Sequence, residues 1–364
     1  MEPNSDRTFA AALLAGREGI EPLRPDRYGA FASWAESERL AVLVSDALRE
    51  QPACAPLRNA LAAGAARQAA LAVLQERELR RVLDALAGAQ VEPVLLKGAA
   101  LAHSAYADPA ARPRRDTDLL IREHDAPRVR AALEELGYRP EIETFGRFVT
   151  AQFHYTRTDT RGVRHACDVH LKIVNAQVYA ASLSYDELRE EAVTLRVHPC
   201  ALGPSAVHAL LVACIHRIAH HHDSDDLLWL HDVRLLARAL READWERLLA
   251  LAHAKALSAV VVHELERAEE ALGTCVAGTI RRRLHASAGA ESRPPLLTGP
   301  QRLVDVLRSD LAALPTWTAR VQLVREHLFP SVAYMRQTHP RCPRALLPAV
   351  YALRIVRGAP RWFR

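Results

Sequence analysis

The chain has 364 residues, a formal net charge of +5 and a pI near 9.0, so it is long enough for two or three domains and only mildly basic. With 49% apolar and 25% charged residues it is excluded from the disordered and fibrous classes and fits a globular protein with a sizeable core. No run reaches the ~18 apolar residues that a membrane span needs. All but three of the 48 basic residues are arginine, so the charge reads as a habit of composition and says little about nucleic acid. The exceptions are Lys97, Lys172 and Lys255, and a lysine kept in such a chain is a candidate for a place where a planar fork cannot stand in for a compact point charge. Six scattered cysteines without CxxC spacing are expected to be reduced thiols, and the N-terminus lacks a basic leader, so a cytoplasmic protein is expected.

Residues 1–88 are predicted to be helical. "SWAESERLAVLVSDAL" opens at a capping-type Ser33, and "APLRNALAAGAARQAALAVLQERELRRVLDALAGAQ" reads as one long helix ended by Gly88. Residues 89–200 change character. "VEPVLLKG" is a short apolar run consistent with a buried strand, "AALAHSAYA" a helix of about two turns, "DPAARPRR" a loop and "DTDLLI" the next strand. "HDAPRVRAALEELGY" is a helix with Pro127 in its first turn and Gly137 at its end. "QFHYTRT" and "RHACDVHLKI" alternate as half-buried strands around a "DTRG" turn. From residue 201 to 364 the helical period returns, interrupted by a loop or linker near 286–300 and by "QTHPRCPRALLP". The fold class expected is α+β, a small mixed-sheet core at 89–200 between helical regions at 1–88 and 201–364.

In a strand, Asp116 and Asp118 point the same way, and two carboxylates so close would force one pKa upward. A divalent ion resolves the conflict, since Mg²⁺ takes one or two carboxylates plus phosphate oxygens. The plainer alternative is a solvated strand end paired with Arg114 and Arg115. In "RHACDVHLKI" alternation places Asp168, His170 and Lys172 on one face and Cys167, Val169, Leu171 and Ile173 on the other. Asp168 is thus a candidate third carboxylate for metal-assisted phosphoryl transfer, against the alternative of an edge strand facing water. In "LLKGAAL", Gly98 permits close backbone approach at a helix N-terminus, and Lys97 could neutralise phosphate charge.

The order "VLLKGAALAHSAYADPAARPRRDTDLLI", followed by "CDVHLKI", resembles the uncharacterised nucleotidyltransferase family of the polymerase-beta-like superfamily over roughly residues 85–240. The resemblance implies a nucleotidyltransferase core with Asp116, Asp118 and Asp168 as catalytic metal ligands. Gly98 becomes the nucleotide-loop glycine, and Lys97, Arg112, His170 and Lys172 become nucleotide-binding candidates. It further implies Mg²⁺ (or Mn²⁺), an NTP co-substrate expected to be ATP, and transfer of a nucleoside monophosphate, AMP above all. The acceptor, whether small molecule, peptide, protein or RNA, and the oligomeric state are left open. Ala99 stands where the wider superfamily places a serine, Leu171 where this family often has an aromatic residue, and Thr117 where an aliphatic one is common. Ala99 keeps alive the alternative of a catalytically silent nucleotide-binding or regulatory protein.

"IHRIAHHHDSDD" offers His216, His220, His221, His222 and Asp223, and "LHDV" a further His231–Asp232 pair, which together raise the alternative of a His/Asp metal phosphohydrolase. The resembling family tends to carry a similar histidine-bearing helix, which implies a role in closing over nucleotide or second substrate. His154 falls on the polar face of its strand, within reach of His170. The basic, amphipathic "RALLPAVYALRIVRGAPRWFR" reads as a docked terminal helix rather than a membrane-surface one, because of Pro348 and its short length.

Overall fold

Alanine and leucine, the strongest helix formers, build the N-terminal part of the chain as α1 (Pro3–Ala15), α2 (Tyr28–Ser37), α3 (Ala41–Ala47) and α4 (Ala55–Gly88). The structure, a computed structural model, describes residues 3–49, 51, 54–141, 146–221, 223–291 and 302–362. The long helix expected to end at Gly88 does so. The stretch opened by Ser33 differs from expectation, because Ser33 lies inside α2 and its hydroxyl donates to the Gly29 carbonyl at 3.0 Å. That stretch also breaks in two. Arg39 turns left-handed at φ +64°, the Leu40 amide closes back on the Ala35 carbonyl at 2.7 Å, and Leu40 is delivered to the core.

The middle of the chain supplies β1 (Val94–Leu95), α5 (Lys97–Ser104), β2 (Thr117–Leu120), α6 (Ala126–Glu135), β3 (Arg139–Pro140), β4 (Gln152–Thr158) and β5 (Arg164–His170). It continues with α7 (Gln177–Ala180), α8 (Tyr185–Glu190), β6 (Val193–Thr194) and β7 (Leu202–Gly203), short elements that the sequence pattern had not marked. Among the described residues seven strands form one mixed sheet in the order β3-β4-β5-β2-β1-β7-β6, in which β2–β5 and β1–β7 are parallel. The fold is therefore α+β. Gly162 (φ +80°) closes the expected turn between β4 and β5, and Gly137 (φ +87°) follows α6.

Beyond residue 203 come α9 (Ala206–His221), α10 (Leu227–Ala239), α11 (Glu242–Ala254), α12 (Ser258–Leu272), α13 (Gly278–Ala290), α14 (Leu303–Ala313), α15 (Trp317–Leu328), α16 (Val332–Thr338) and α17 (Leu347–Trp362). The loop expected near 286–300 begins later than the sequence suggested. Residues 286–290 complete α13, with the Arg-rich helix paired through Arg283 and His285 to Glu246 and Glu266, and residues 292–300 lie outside the described ones.

Alternation along β2 and β5 divides the sheet. On one face Leu95, Leu119, Cys167 and Val169 pack with Leu79, Val82, Leu83 and Leu86 of α4 and with Val129 and Leu133 of α6. Burial of each such aliphatic side chain contributes on the order of 2 kcal/mol. Val94, Leu96 and Leu120, on the other face, join a core shared by α1–α3, the first half of α4 and α9–α13. Asp118, Asp168 and His170 alternate with Leu119 and Val169, so they lie on this second face, beneath helices.

Candidate functional site

Parallel pairing of β2 with β5 sets Asp118 directly beside Asp168 and Leu120 beside His170, and antiparallel pairing of β5 with β4 sets His154 beside Asp168. Three neighbouring strands therefore bring polar side chains to one place. His170 Nε2 lies 2.9 Å from Asp118 Oδ1 and 3.2 Å from Asp168 Oδ2, so it carries its proton there and donates to the two carboxylates. Lys97 Nζ donates to Asp118 Oδ1 at 2.7 Å and sits 3.4 Å from His170 Nε2. His154 Nδ1 is 3.4 Å from Asp168 Oδ1, and its Nε2 is 3.0 Å from Gln152 Nε2.

Lys97 reaches this position through an uncommon backbone. The Leu96 amide donates to the Asp118 carbonyl at 3.0 Å, which holds the β1–α5 junction against β2, and Lys97 then turns left-handed at φ +51°. A non-glycine residue in that region costs of order 1–3 kcal/mol and persists only where the surroundings impose it.

The electrostatics follow from too many carboxylates under cover. Burial works to raise the pKa of Asp118, but Lys97 and His170 hold it far below the usual carboxylate range. Asp116 feels the same two cations more weakly. Burial first, and then the charge of Asp118, pushes its carboxyl up to about 6. Burial disfavours the charged forms of Lys97 and His170, yet the aspartates keep both above their ordinary values. Two buried polar atoms, Asp168 Oδ1 and His170 Nδ1, make no hydrogen bond. Among the described residues, Asp118, Asp168 and His170 have donor atoms all within 4.8 Å of one another, the spacing a metal ion needs, and oxygen donors of this kind suit a hard divalent cation. Asp116, just ahead of β2, stands outside that group although it feels the same charges.

The remaining residues expected at the site have other partners. Arg112 is buried, and its guanidinium donates to Asp232 of α10, with Nε 2.8 Å from each carboxylate oxygen and Nη2 2.7 Å from Oδ2. The Tyr106 hydroxyl donates to the same carboxylate at 2.7 Å. Gly98 serves this clasp, because a Cβ there would lie 3.2 Å from Arg112 Nη1 and 3.4 Å from Arg114 Cβ. Ala99 is buried in α5. Lys172 donates to the Arg147 carbonyl at 3.2 Å and lies over the Phe148 ring, in contact with the loop ahead of β4. Arg114, one of the two arginines offered as partners of a solvated strand end, is buried.

α9 roofs the site. His216 lines, with Lys97, Trp229 and the Arg112–Asp232 pair, a cavity of about 40 Å³ between α5, α9 and α10. Burial first, with Lys97 and then His170 nearby, lowers the pKa of His220 to about 3, and the Asn175 amide donates to its Nε2 at 3.4 Å. Both rings are thus kept neutral over the carboxylates. His221 stacks on Trp229 at 3.7 Å between ring centroids, and His222 lies outside the described residues. None of these histidines belongs to a metal-competent group among the described residues. Such a second group does exist at Asp223, His263 and Glu264, but Arg217 fills it, binding Glu264, Asp223 and the Ser224 carbonyl. The partnership of Arg112 with Asp232 escaped sequence reasoning, although "LHDV" had marked Asp232 for another reason.

The model of the family described as "Uncharacterised nucleotidyltransferase" matches residues 25–273 of the 364, a span holding every site residue above. No curated protein matches the chain.

Proposed function

The chain belongs to this uncharacterised nucleotidyltransferase family, and on that premise we propose that it is a metal-dependent enzyme moving a nucleoside monophosphate, AMP by preference, from an NTP to an acceptor. The observation that carries this reading is the register of Asp118 against Asp168, with Lys97 and His170 packed around an excess of negative charge. Asp118 and Asp168, joined by Asp116, would hold Mg²⁺ or Mn²⁺. Such an ion supplies charge neutralisation at the α-phosphate and lowers the pKa of an oxygen bound to it. The unbonded Asp168 Oδ1 is the buried acceptor that fits this reading.

His170, proton on Nε2, fixes the orientation of both carboxylates. Lys97, now on Asp118, is the cation nearest an incoming phosphate. An acceptor oxygen attacks the α-phosphorus, the bond from the α-phosphorus to the bridging oxygen breaks, and pyrophosphate departs with that electron pair. The acceptor proton goes to a carboxylate or to solvent. The neutral rings of His216 and His220 keep water from the face that α9 covers. Arg112 acts here as a strut to α10 and Lys172 as a support of the loop ahead of β4, so neither is assigned a phosphate.

The test is to incubate the protein with each α-labelled NTP, Mg²⁺ or Mn²⁺ and a cell extract, beside an Asp118→Asn variant. A labelled acceptor with the wild type and none with the variant supports the reading. Nucleotide binding by calorimetry with no transfer to any acceptor class would favour the silent, regulatory alternative, which the occupied Lys97 and Ala99 allow.

A further inference from the structure

Residues 302–364, beyond the span of the family match, carry eleven arginines, no lysine and three acids. All three acids are engaged. Asp305 pairs with Arg302, Asp310 accepts the Gln177 amide at 2.7 Å, and Glu326 accepts the amides of Arg147, Phe148 and Val149 at 2.9, 2.9 and 3.0 Å. Arg336, Arg341, Arg344 and Arg357 are exposed. The same segment holds eight of the eleven exposed large apolar side chains among the described residues, with Trp317 75% and Val356 70% exposed. Two grooves open between its helices. One of about 370 Å³ runs along Trp317, Arg320, Val321 and Val324. The other, of about 670 Å³, is lined by Leu307, Tyr334, Leu353, Arg354 and Arg357. α17 touches the rest of the segment through the Tyr351 hydroxyl on the Pro330 carbonyl and Arg354 on the His327 carbonyl, and Leu353 and Val356 stay outside.

Against the sequence reading of the last helix as a docked one, and because Leu353 and Val356 lie exposed on it, we propose that residues 302–362 dock this protein on the surface of an anionic phospholipid bilayer. Aliphatic side chains mixed with exposed arginines that have no acidic partner among the described residues are what the boundary between headgroups and acyl chains accepts, and basic amphipathic helices lie in that plane. Uniform positive charge sets a second copy of this face against the first, so self-association is disfavoured. An RNA strand would leave the leucines and valines uncovered. Among the described residues no helix is long and apolar enough to cross a membrane, and the contact proposed is peripheral.

The experiment is sedimentation of the full chain with vesicles of phosphatidylcholine alone or mixed with phosphatidylglycerol. Binding is expected to the mixed vesicles only, and to weaken at high salt. The triple variant Arg341→Gln, Arg344→Gln, Arg357→Gln should bind roughly a hundredfold more weakly, at about fivefold for each arginine. Trp317→Ser with Val356→Ser should weaken binding at least tenfold, by the loss of roughly 0.8 kcal/mol for each buried methylene equivalent. These side chains are exposed, so melting temperatures should match the wild type. Absence of binding to the mixed vesicles, or equal binding by wild type and arginine variant, overturns the proposal. So does a concentration-dependent dimer abolished by the Trp317/Val356 variant, or RNA binding tighter than vesicle binding and lost in the arginine variant.

Discussion

Around Asp118 three carboxylates meet one lysine and one histidine, whereas around Glu264 two carboxylates meet Arg217, with Arg267 and His263 at the edge. Both have donor atoms at metal-binding spacing, but the Asp118 group is buried throughout, whereas at the second only Glu264 is buried and Asp223 and His263 are half-buried. They differ in balance. Arg217 binds Glu264 and Asp223 with a planar fork and caps the Ser224 carbonyl as well, so both carboxylates have a direct cationic partner, although burial still pushes the Glu264 carboxyl up to about 7. At Asp118 the cation is a lysine that touches one carboxylate oxygen, Asp168 Oδ1 has His154 Nδ1 at 3.4 Å, and Asp116, without a direct cationic partner among the described residues, stays raised to about 6. Donor spacing is common to both clusters, so the metal reading proposed for Asp118 rests on the difference in their cationic partners.

Breaking each cluster in turn should separate these roles. Asp118→Asn should cost about a thousandfold or more in nucleotidyl transfer, the several kcal/mol of transition-state stabilisation that metal positioning supplies, while the chain still folds. Glu264→Gln should change transfer little, as judged by the same labelled-NTP assay. Stability should sort the other way. Arg217→Met strands a buried carboxylate and should lower unfolding stability by about 3–5 kcal/mol in urea titration.

Asp116 sharpens the contrast through pH. Its folded pKa, about 6, lies above the ordinary carboxylate value, so the folded state holds the proton more tightly than the unfolded one. Ionised Asp116 therefore burdens the fold, with no effect below about pH 4, a growing one up to about pH 6 and a constant one above it. Asp116→Asn should be more stable than the wild type by roughly 1–3 kcal/mol at pH 8, indistinguishable near pH 3.5, and impaired in transfer. Thermal melts across that range, with and without Mg²⁺, measure it. Mg²⁺ should raise the wild-type melting temperature more than that of the variant. The smallest effect is expected for Lys97→Arg, where a bulkier fork must fit a left-handed turn beside Asp118. Nucleotide affinity by calorimetry should fall roughly tenfold, about one charged hydrogen bond, with Lys255→Arg silent. Lys255 pairs with Glu187, away from the carboxylates.

The sheet and its carboxylates were legible because strand alternation is local: "DTDLLI" and "DVH" each state which residues share a face. Which carboxylate meets which cation was not, since register and packing decide it. Asp116 and Asp118 look equivalent in sequence, yet only Asp118 falls opposite Asp168 and under Lys97. Arg112 finds its partner 120 positions away, a pairing that no window of the sequence contains. The histidines of α9 looked like a metal cluster on their own, and only the placement of that helix over α5 shows them to be a neutral roof. Short elements such as β6, β7 and α7 carry too few residues to show a period at all.

The grip of Glu326 on three successive amides has a mechanical consequence. Gly146 leaves the room, since a Cβ there would lie within 2.4 Å of the Glu326 carboxylate, and residues 147–149 are pinned to α15 by their main chain rather than by side chains. Two residues on, the Ala151 carbonyl accepts the Leu171 amide at 2.8 Å, and Leu171 adjoins His170. Such a linkage is short and stiff, with no rotatable side chain beyond Glu326 itself. A tug on α15, the helix that carries Trp317 and Val321, is thus transmitted like a push on a crank to within one peptide of the histidine that orients both carboxylates.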